Sequence, residues 1–400
     1  MDNVRRYDLD WLRVLVFALL IIYHVGMFFV PWGWQIKNNE ISKGLTYPML
    51  FLNQWRIPIL FIISGMGTCL ALSKKNWWQF VKERHNRLMI PLLVGMILVI
   101  APQVYIERLI DGSTTSNYLD FYLHDYFTKE PYPTGNFSWH HLWFLPYLFI
   151  YSVVLSPVFI YFKKFPENKF ITAMKHLFSK KAGLLLFLLP LLVVYIFLEP
   201  LFPVTHSLVG DWYYLSFNFV FFFYGYLFIS FKETFWQMVN QYKKTALLIG
   251  MASFTIFIIT ISQPKGSLQN VIYIVSKFLN LGSWIIAIFG YAAKYLNKKS
   301  TLVQYCNRAV YPFYIFHQTI TVVAAYFLYD KNISIWIKFI LLILVTFGVS
   351  FLLYEVVKRF KITCVLFGIK PKIRIVNGEN KTKTPYIYVI LTLSLSKGQY

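Results

Sequence analysis

Three ionisable residues lie in the first long apolar segment of the chain: Asp10, Arg13 and His24. Arg13 and His24 are eleven residues apart, and eleven helical steps return to within about 20° of the starting face. Asp10 and Arg13 have the i,i+3 spacing of a helical salt bridge. Ionisable groups are costly in a bilayer and rarely occur there without a partner or a function. One helix face therefore carries a carboxylate, a guanidinium and a histidine that can take a proton from a hydroxyl, and we predict that all three residues are catalytic.

Other apolar segments contribute further candidates. Arg56 lies about ten residues into the second segment, where it would bind an anionic substrate, stabilise an oxyanion or form a structural ion pair. His141 opens the fourth segment, and His317 lies near the middle of the ninth. We expect Arg56, His141 or His317 to orient a substrate or to stabilise developing charge. For His24 itself, the alternative is a hydrogen bond that only joins two helices.

Arg84 and Arg87 form a basic i,i+3 pair at the start of the third segment. Two guanidinium groups one turn apart suit phosphate or pyrophosphate, although topology alone can also explain arginines there. Adjacent histidines point in different directions on a helix, and the three cysteines lack ligand spacing, so we expect no metal site. The small residues Ser64–Gly67 predict a close approach between two helices.

Composition places these residues in a membrane protein. The 400 residues are 57% hydrophobic and only 14% charged, whereas a soluble domain carries about 25% charged residues. We expect an all-α polytopic protein with about ten transmembrane helices in one bundle. We assign residues 1–360 to one membrane-embedded domain, which carries all the candidate site residues, and we expect residues 361–400 to form a basic, disordered cytoplasmic tail. The predicted spans are residues 10–30, 46–72, 88–105, 142–162, 182–200, 212–231, 245–262, 272–293, 309–329 and 335–357.

The net charge of +22 follows the membrane topology. With the N-terminus in the cytoplasm, 29 Lys and Arg residues fall on the inner side and 6 on the outer side. This is the positive-inside pattern, and it predicts that both termini are cytoplasmic. We therefore interpret the basic residues as topology signals that also contact anionic lipid, and we expect no nucleic-acid partner. The long outer loop, residues 106–141, predicts a structured lid or a short amphipathic helix.

These motifs together resemble one family. They are Asp10-Trp-Leu-Arg13 with His24, Pro58-Ile-Leu-Phe-Ile-Ile-Ser-Gly65, Arg84-x-x-Arg87-Leu, His141-Leu-Trp-Phe-Leu145 and Tyr311-Pro-Phe-Tyr-Ile-Phe-His317. In this order, the pattern resembles the membrane-bound acyltransferase-3 family over about residues 5–360. The motifs around Arg56 and His141 look most like its branch that contains glucan biosynthesis protein C.

The resemblance implies an O-acyltransferase of the bacterial inner membrane. It would move an acetyl or succinyl group from cytoplasmic acyl-CoA to a hydroxyl of an extracytoplasmic glycan or lipid-linked sugar. His24 would be the catalytic base, and Arg84 with Arg87 would bind the phosphates of acyl-CoA, which is a donor substrate and not a permanently bound cofactor. The alternative is a transporter of a polar solute, because intramembrane charges serve transporters equally well.

Overall fold

A computed structural model describes residues 6–369, apart from 73–74, 129, 131, 181–182 and 264–265. Within this part the chain is helical and has no strand, which confirms the predicted all-α fold. Eight of its helices are long and apolar enough to cross a membrane. In chain order the helices are α1 (Tyr7–Met27), α2 (Lys43–Leu72), α3 (Trp77–Ile110), α4 (Tyr118–Asp120), α5 (His140–Lys164), α6 (Lys169–Phe178), α7 (Gly183–Leu186), α8 (Leu189–Leu198), α9 (Trp212–Ser230), α10 (Lys232–Ile261), α11 (Ser267–Tyr295), α12 (Thr301–Tyr326), α13 (Ile335–Val357) and α14 (Lys361–Leu366).

Each of the ten predicted spans contains a helix, but two of these helices differ from the other eight. Helix α8 has only 10 residues, and 1.5 Å per residue makes it too short to cross the hydrocarbon core alone. Helix α12 has 26 residues, but its polar side chains make it less apolar than the eight membrane-crossing helices. The count of ten spans therefore stays a prediction.

Helix α1 begins and helix α13 ends at the same end of the bundle. The backbone N–H of Tyr7, in the first turn of α1, donates to Asn297 at 3.0 Å. One turn into α12, the hydroxyl of Tyr305 donates to Glu355 near the end of α13. The start of α1 and the end of α13 thus lie on the same side, as the charge pattern requires. That this side faces the cytoplasm is a prediction from the positive-inside rule.

Helices α2 and α9 approach each other closely at two glycines. A Cβ atom added to Gly65 would lie 2.0 Å from the carbonyl oxygen of Phe222, and one added to Gly225 would lie 2.0 Å from that of Ile62. Only glycine leaves room for backbones this close. The predicted packing role of the small residues around Ser64 is thus seen in the structure, and it fixes the helix that carries Arg56.

The described part of the long loop, which is predicted to lie outside, packs around aromatic side chains. Helix α4 and the turn after it bury Phe121, and Tyr126 is also fully buried. The hydroxyl of Tyr126 donates to the carbonyl of Met96 in α3 at 2.5 Å. Arg108, near the C-terminal end of α3, donates to the carbonyl oxygens of Pro133 and Gly135. The loop is therefore held against the end of α3, as a structured lid would be.

The segment that we assigned to the tail begins with a helix. In α14, Cys364 is buried, and the ring of Phe367 lies 4.8 Å from that of Phe316 in α12. Gly368 has a φ of +65° and packs against Tyr311, where a side chain would collide with the ring. Residues 361–369 therefore belong to the packed bundle. The rest of the predicted tail lies outside the described residues.

Candidate active site

Two histidines from distant parts of the chain form the centre of the site. Nδ1 of His24 in α1 lies 2.7 Å from Nε2 of His317 in α12. Nδ1 of His317 lies 2.8 Å from the carbonyl oxygen of Tyr314, which can only accept. His317 therefore carries its proton on Nδ1 when neutral, and its Nε2 accepts the bond from His24. This arrangement places the proton of neutral His24 on Nδ1 and leaves a lone pair on its Nε2.

The lone pair on Nε2 of His24 has no partner among the described residues. The side chain is only half-buried, whereas His317 is fully buried. A nitrogen that can accept a proton and can be reached by a ligand is what a general base requires. The structural alternative, in which His24 only joins two helices, accounts for Nδ1 but not for Nε2.

His141, in α5, contacts the His317 member of this pair. Its ring lies edge-on to that of His317, with 5.0 Å between the ring centres. Its Nε2 donates to the carbonyl oxygen of Ile315 at 3.1 Å, so Nδ1 carries a lone pair. That nitrogen is buried and has no partner in the described part of the chain. The backbone carbonyl of His141 accepts from the hydroxyl of Tyr314 at 2.5 Å, which ties α5 to α12.

Arg56 brings a positive charge to this end of the bundle. Its guanidinium lies 3.3 Å from the centre of the Tyr23 ring and donates to Asn53 at 2.7 Å. The residue is 7% exposed, and its Nε is buried without a partner. No carboxylate of the described chain forms an ion pair with it. The group lies within electrostatic range of His24, so a cation with an unused donor belongs to the same end of the bundle as the candidate base.

Asp10 and Arg13 lie at the opposite end of α1 from His24. Arg13 donates to Oδ1 of Asn307 at 3.1 Å, and the amide of Asn307 donates to Asp10 at 2.8 Å. Asn307 is in α12, so the predicted polar face of α1 meets this one helix at both ends. The structure therefore separates Asp10 and Arg13 from His24, although all three are predicted to be catalytic.

The basic pair of α3 lies at the same end of the bundle as Arg13. Arg84 donates to the hydroxyl of Thr68 at 2.9 Å and lies over the ring of Phe80. Arg87 is exposed and lies within electrostatic range of both Arg84 and Arg13. Three guanidinium groups from α1 and α3 thus converge at one end of the bundle. This density of positive charge suits a ligand with several phosphates.

A further histidine at this end of the bundle is His206, in the loop before α9, which is not among the residues predicted from the sequence. Its ring stacks on Trp143 with 4.6 Å between centres, and it lies within electrostatic range of Arg56 and His24. Burial lowers its pKa from 6.5 to about 4, so the ring is neutral at physiological pH. No motif marks it in the sequence. In the described residues, no group of three or more His, Cys, Asp or Glu side chains is placed to hold a metal ion.

Comparisons with known proteins show to which family the chain belongs. The family model described as an acyltransferase domain matches residues 6–355. The chain belongs to the membrane-bound acyltransferase-3 family. It is 24% identical to glucans biosynthesis protein C of Shigella dysenteriae serotype 1 over 94% of this chain and 97% of the relative. The proteins of the same name from Escherichia coli strains K12 and O157:H7 show the same identity and coverage. No solved structure matches the chain significantly.

Membership of this family makes the protein an enzyme that transfers acyl groups, and its apolar helices make it an integral membrane protein. The choice between an enzyme and a transporter, which the sequence left open, is thereby made.

Proposed function

We propose that this enzyme transfers an acetyl or succinyl group from cytoplasmic acyl-CoA to a hydroxyl of an extracytoplasmic glycan or glycolipid, in the bacterial inner membrane. The main support is the tautomer of His24, whose Nε2 is unprotonated and unbonded, with a buried guanidinium within electrostatic range. This arrangement suits the attack of a hydroxyl on a thioester, because both a base and a group that stabilises negative charge are at hand.

The reaction needs one proton to move twice. Nε2 of His24 takes the proton of the acceptor hydroxyl as its oxygen bonds to the thioester carbon. The tetrahedral intermediate then collapses, the carbon–sulfur bond breaks, and His24 returns the proton to the CoA thiolate. Throughout, Nδ1–H of His24 donates to Nε2 of His317, and this bond strengthens while His24 is a cation. The products are the acyl ester and free CoA, and His24 returns to its starting state.

Arg56 is the group best placed to stabilise the oxyanion. Its Nε–H is buried and has no hydrogen-bond partner, so a developing oxyanion could accept a hydrogen bond from it without breaking an existing one. A donor aimed at such an oxygen is worth about 10²–10³ in kcat. Tyr23 and Asn53 hold the guanidinium in place before any ligand arrives.

The donor would enter from the opposite end. Arg84, Arg87 and Arg13 would bind the phosphates of acyl-CoA at the cytoplasmic face, and the pantetheine arm would run toward His24. The helix rise from Arg13 to His24 is about 16 Å, which is the depth that the arm has to cover. The acceptor is proposed to be a glycan because the relatives are named glucans biosynthesis protein C. A soluble glucose oligosaccharide is therefore the first acceptor to test.

The proposed base is tested by two substitutions at His24 in purified protein reconstituted into liposomes. His24→Gln and His24→Ala should each lower acetyl transfer from acetyl-CoA by about 10²–10⁴, which is the usual value of a general base. Binding of acetyl-CoA should stay within twofold of the wild type. His176→Gln is the matched control, because His176 is exposed on α6, far along the chain from these contacts. Full turnover in His24→Gln would assign the base to another group.

The proposed donor site is tested by the double variant Arg84→Gln/Arg87→Gln. Affinity for CoA, measured by calorimetry in detergent, should fall by at least about tenfold, since a charged hydrogen bond contributes about 1.5–3 kcal/mol. Arg359→Gln/Lys361→Gln removes the same charge from exposed positions near the end of the bundle and serves as the control. Equal loss in both double variants would show that net charge matters and that the arginine pair has no specific role.

A further inference from the structure

The loop between α8 and α9 is held in place by one buried carboxylate. Asp211, the N-cap residue of α9, is fully buried. Its Oδ2 accepts from the backbone N–H groups of His206 at 2.7 Å and Thr205 at 3.2 Å, and from the hydroxyl of Tyr147 at 3.0 Å. Its Oδ1 accepts from the backbone N–H of Tyr214 at 3.3 Å. Four bonds to one side chain give this loop a single, defined shape.

That shape places His206 in a strained conformation. Its φ is +59°, in the left-handed region that non-glycine residues seldom adopt. Such strain persists only where the surroundings impose it, and it is frequent at functional sites. Here the indole N–H of Trp139 donates to the carbonyl oxygen of His206 at 3.0 Å. The ring of His206 stacks on Trp143 and meets Tyr214 edge-on, with 5.3 Å between centres. Both the backbone and the ring are therefore fixed.

The two ring nitrogens of His206 have no hydrogen-bond partner among the described residues. The side chain is only partly buried, so a ligand can reach it. The ring lies within electrostatic range of Arg56 and His24, so it belongs to the same end of the bundle as the proposed base. Its lowered pKa keeps it neutral, with one nitrogen that donates and one that accepts.

We propose that His206 is an acceptor-binding residue, which makes a hydrogen bond to a second hydroxyl of a polyhydroxylated acceptor and so determines which hydroxyl reaches His24. The inference rests on the proposed function and deepens it. A neutral imidazole matches a hydroxyl because each can both donate and accept. Trp139, Trp143 and Tyr214 around it are amphipathic aromatic residues, which suit a sugar with one apolar face and several hydroxyls. The loop fixes the ring at a set position relative to His24, and a fixed second contact is what selects one hydroxyl among several.

The test is a comparison of Michaelis constants for the two substrates, with acetyl-CoA as donor and the glucose oligosaccharide as acceptor. His206→Phe keeps a ring that can stack on Trp143 but removes both nitrogens. It should raise the KM for the oligosaccharide about 5- to 50-fold, because one partner of a buried hydrogen bond is lost. The KM for acetyl-CoA should not change. The positions of acetylation, read by NMR of the product, should spread over more hydroxyls than with the wild type.

Two further variants make the outcomes distinct. His206→Asn keeps a donor and an acceptor and tolerates a positive φ, so it should recover part of the lost affinity and selectivity. His124→Phe changes an exposed histidine of the outer loop and should leave both constants unchanged. If His206→Phe keeps a normal acceptor KM and product pattern, or if both constants rise equally, the assignment is overturned. If the wild type acetylates no sugar at all, the proposed function fails, and this inference fails with it.

Discussion

The hydrogen bond between His24 and His317 leads to the sharpest prediction. His317 does not need to touch a substrate to matter, because it sets the tautomer of His24 through a fixed acceptor. His317→Leu removes that acceptor and leaves Nδ1–H of His24 in an apolar environment. His24 can then carry its proton on either nitrogen, and in one of these states Nε2 is no longer a base.

The size of the effect follows from the charge on His24 in the transition state. While His24 holds the acceptor's proton, its bond to His317 is a hydrogen bond from a cation, which contributes about 1.5–3 kcal/mol. Losing it should lower kcat by about 10- to 150-fold. The KM for acetyl-CoA should be unaffected, because His317 is far from the arginines of the donor end. His317→Gln offers an amide oxygen as acceptor and should lose less activity than His317→Leu.

The assay is acetyl transfer from labelled acetyl-CoA in liposomes, with His176→Leu as the matched control. Thermal unfolding in detergent and CoA binding establish that each variant is folded. A folded His317→Leu protein with wild-type kcat would refute the reasoning, because His24 would then need no partner to stay basic at Nε2. Equal losses in the Gln and Leu variants would also refute it, since an acceptor would then give no benefit.

Three other predictions concern packing, pH and topology. Gly65→Ala should lower the free energy of unfolding by about 1–3 kcal/mol, because the new Cβ would lie 2.0 Å from a carbonyl oxygen. Gly67→Ala is the control: the nearest atom to its new Cβ is 3.9 Å away, so it should unfold near the wild-type temperature. The folded state favours the neutral form of His206, because its pKa is about 4 there and 6.5 in the unfolded chain. This preference contributes at most about 3 kcal/mol to the free energy of unfolding. The contribution is complete above pH 6.5 and is lost as the pH falls toward 4. The unfolding temperature of the wild type should therefore fall more steeply over this range than that of His206→Gln. Cysteines at Thr115 and Lys180 should react with an impermeant reagent from the outside and the inside respectively, and the reverse would invert the topology.

Features that depend on the period of a single helix can be predicted from the sequence. The eleven-residue interval between Arg13 and His24 places both on one face, and in the structure both contact α12. Composition and hydropathy likewise predict the helical fold, because a chain in lipid must satisfy its own backbone bonds. The small residues near Gly65 predict close packing for the same local reason.

Contacts between helices are much harder to predict. Asn307 and His317 are ten residues apart, and an ideal helix would place them about 80° from one another. Pro312 lies between them and removes one backbone hydrogen bond, so ideal spacing is a poor guide there. His206 gave no signal because its position depends on a left-handed backbone and on Asp211, five residues further on. Neither feature has a period that could be recognised.

The pairing of α1 with α12 also has a consequence for how the protein is made. The two contacts that satisfy Arg13 and His24 come from residues 294 and 293 positions later in the chain. At about 5–20 residues per second, a ribosome needs about 15–60 s to reach them. During that interval the first helix carries an arginine and a histidine that have not met these partners, at a depth where exposure to lipid is costly. Such a helix is expected to wait beside α2 or within the insertion machinery, and the catalytic centre can assemble only when the chain is nearly complete.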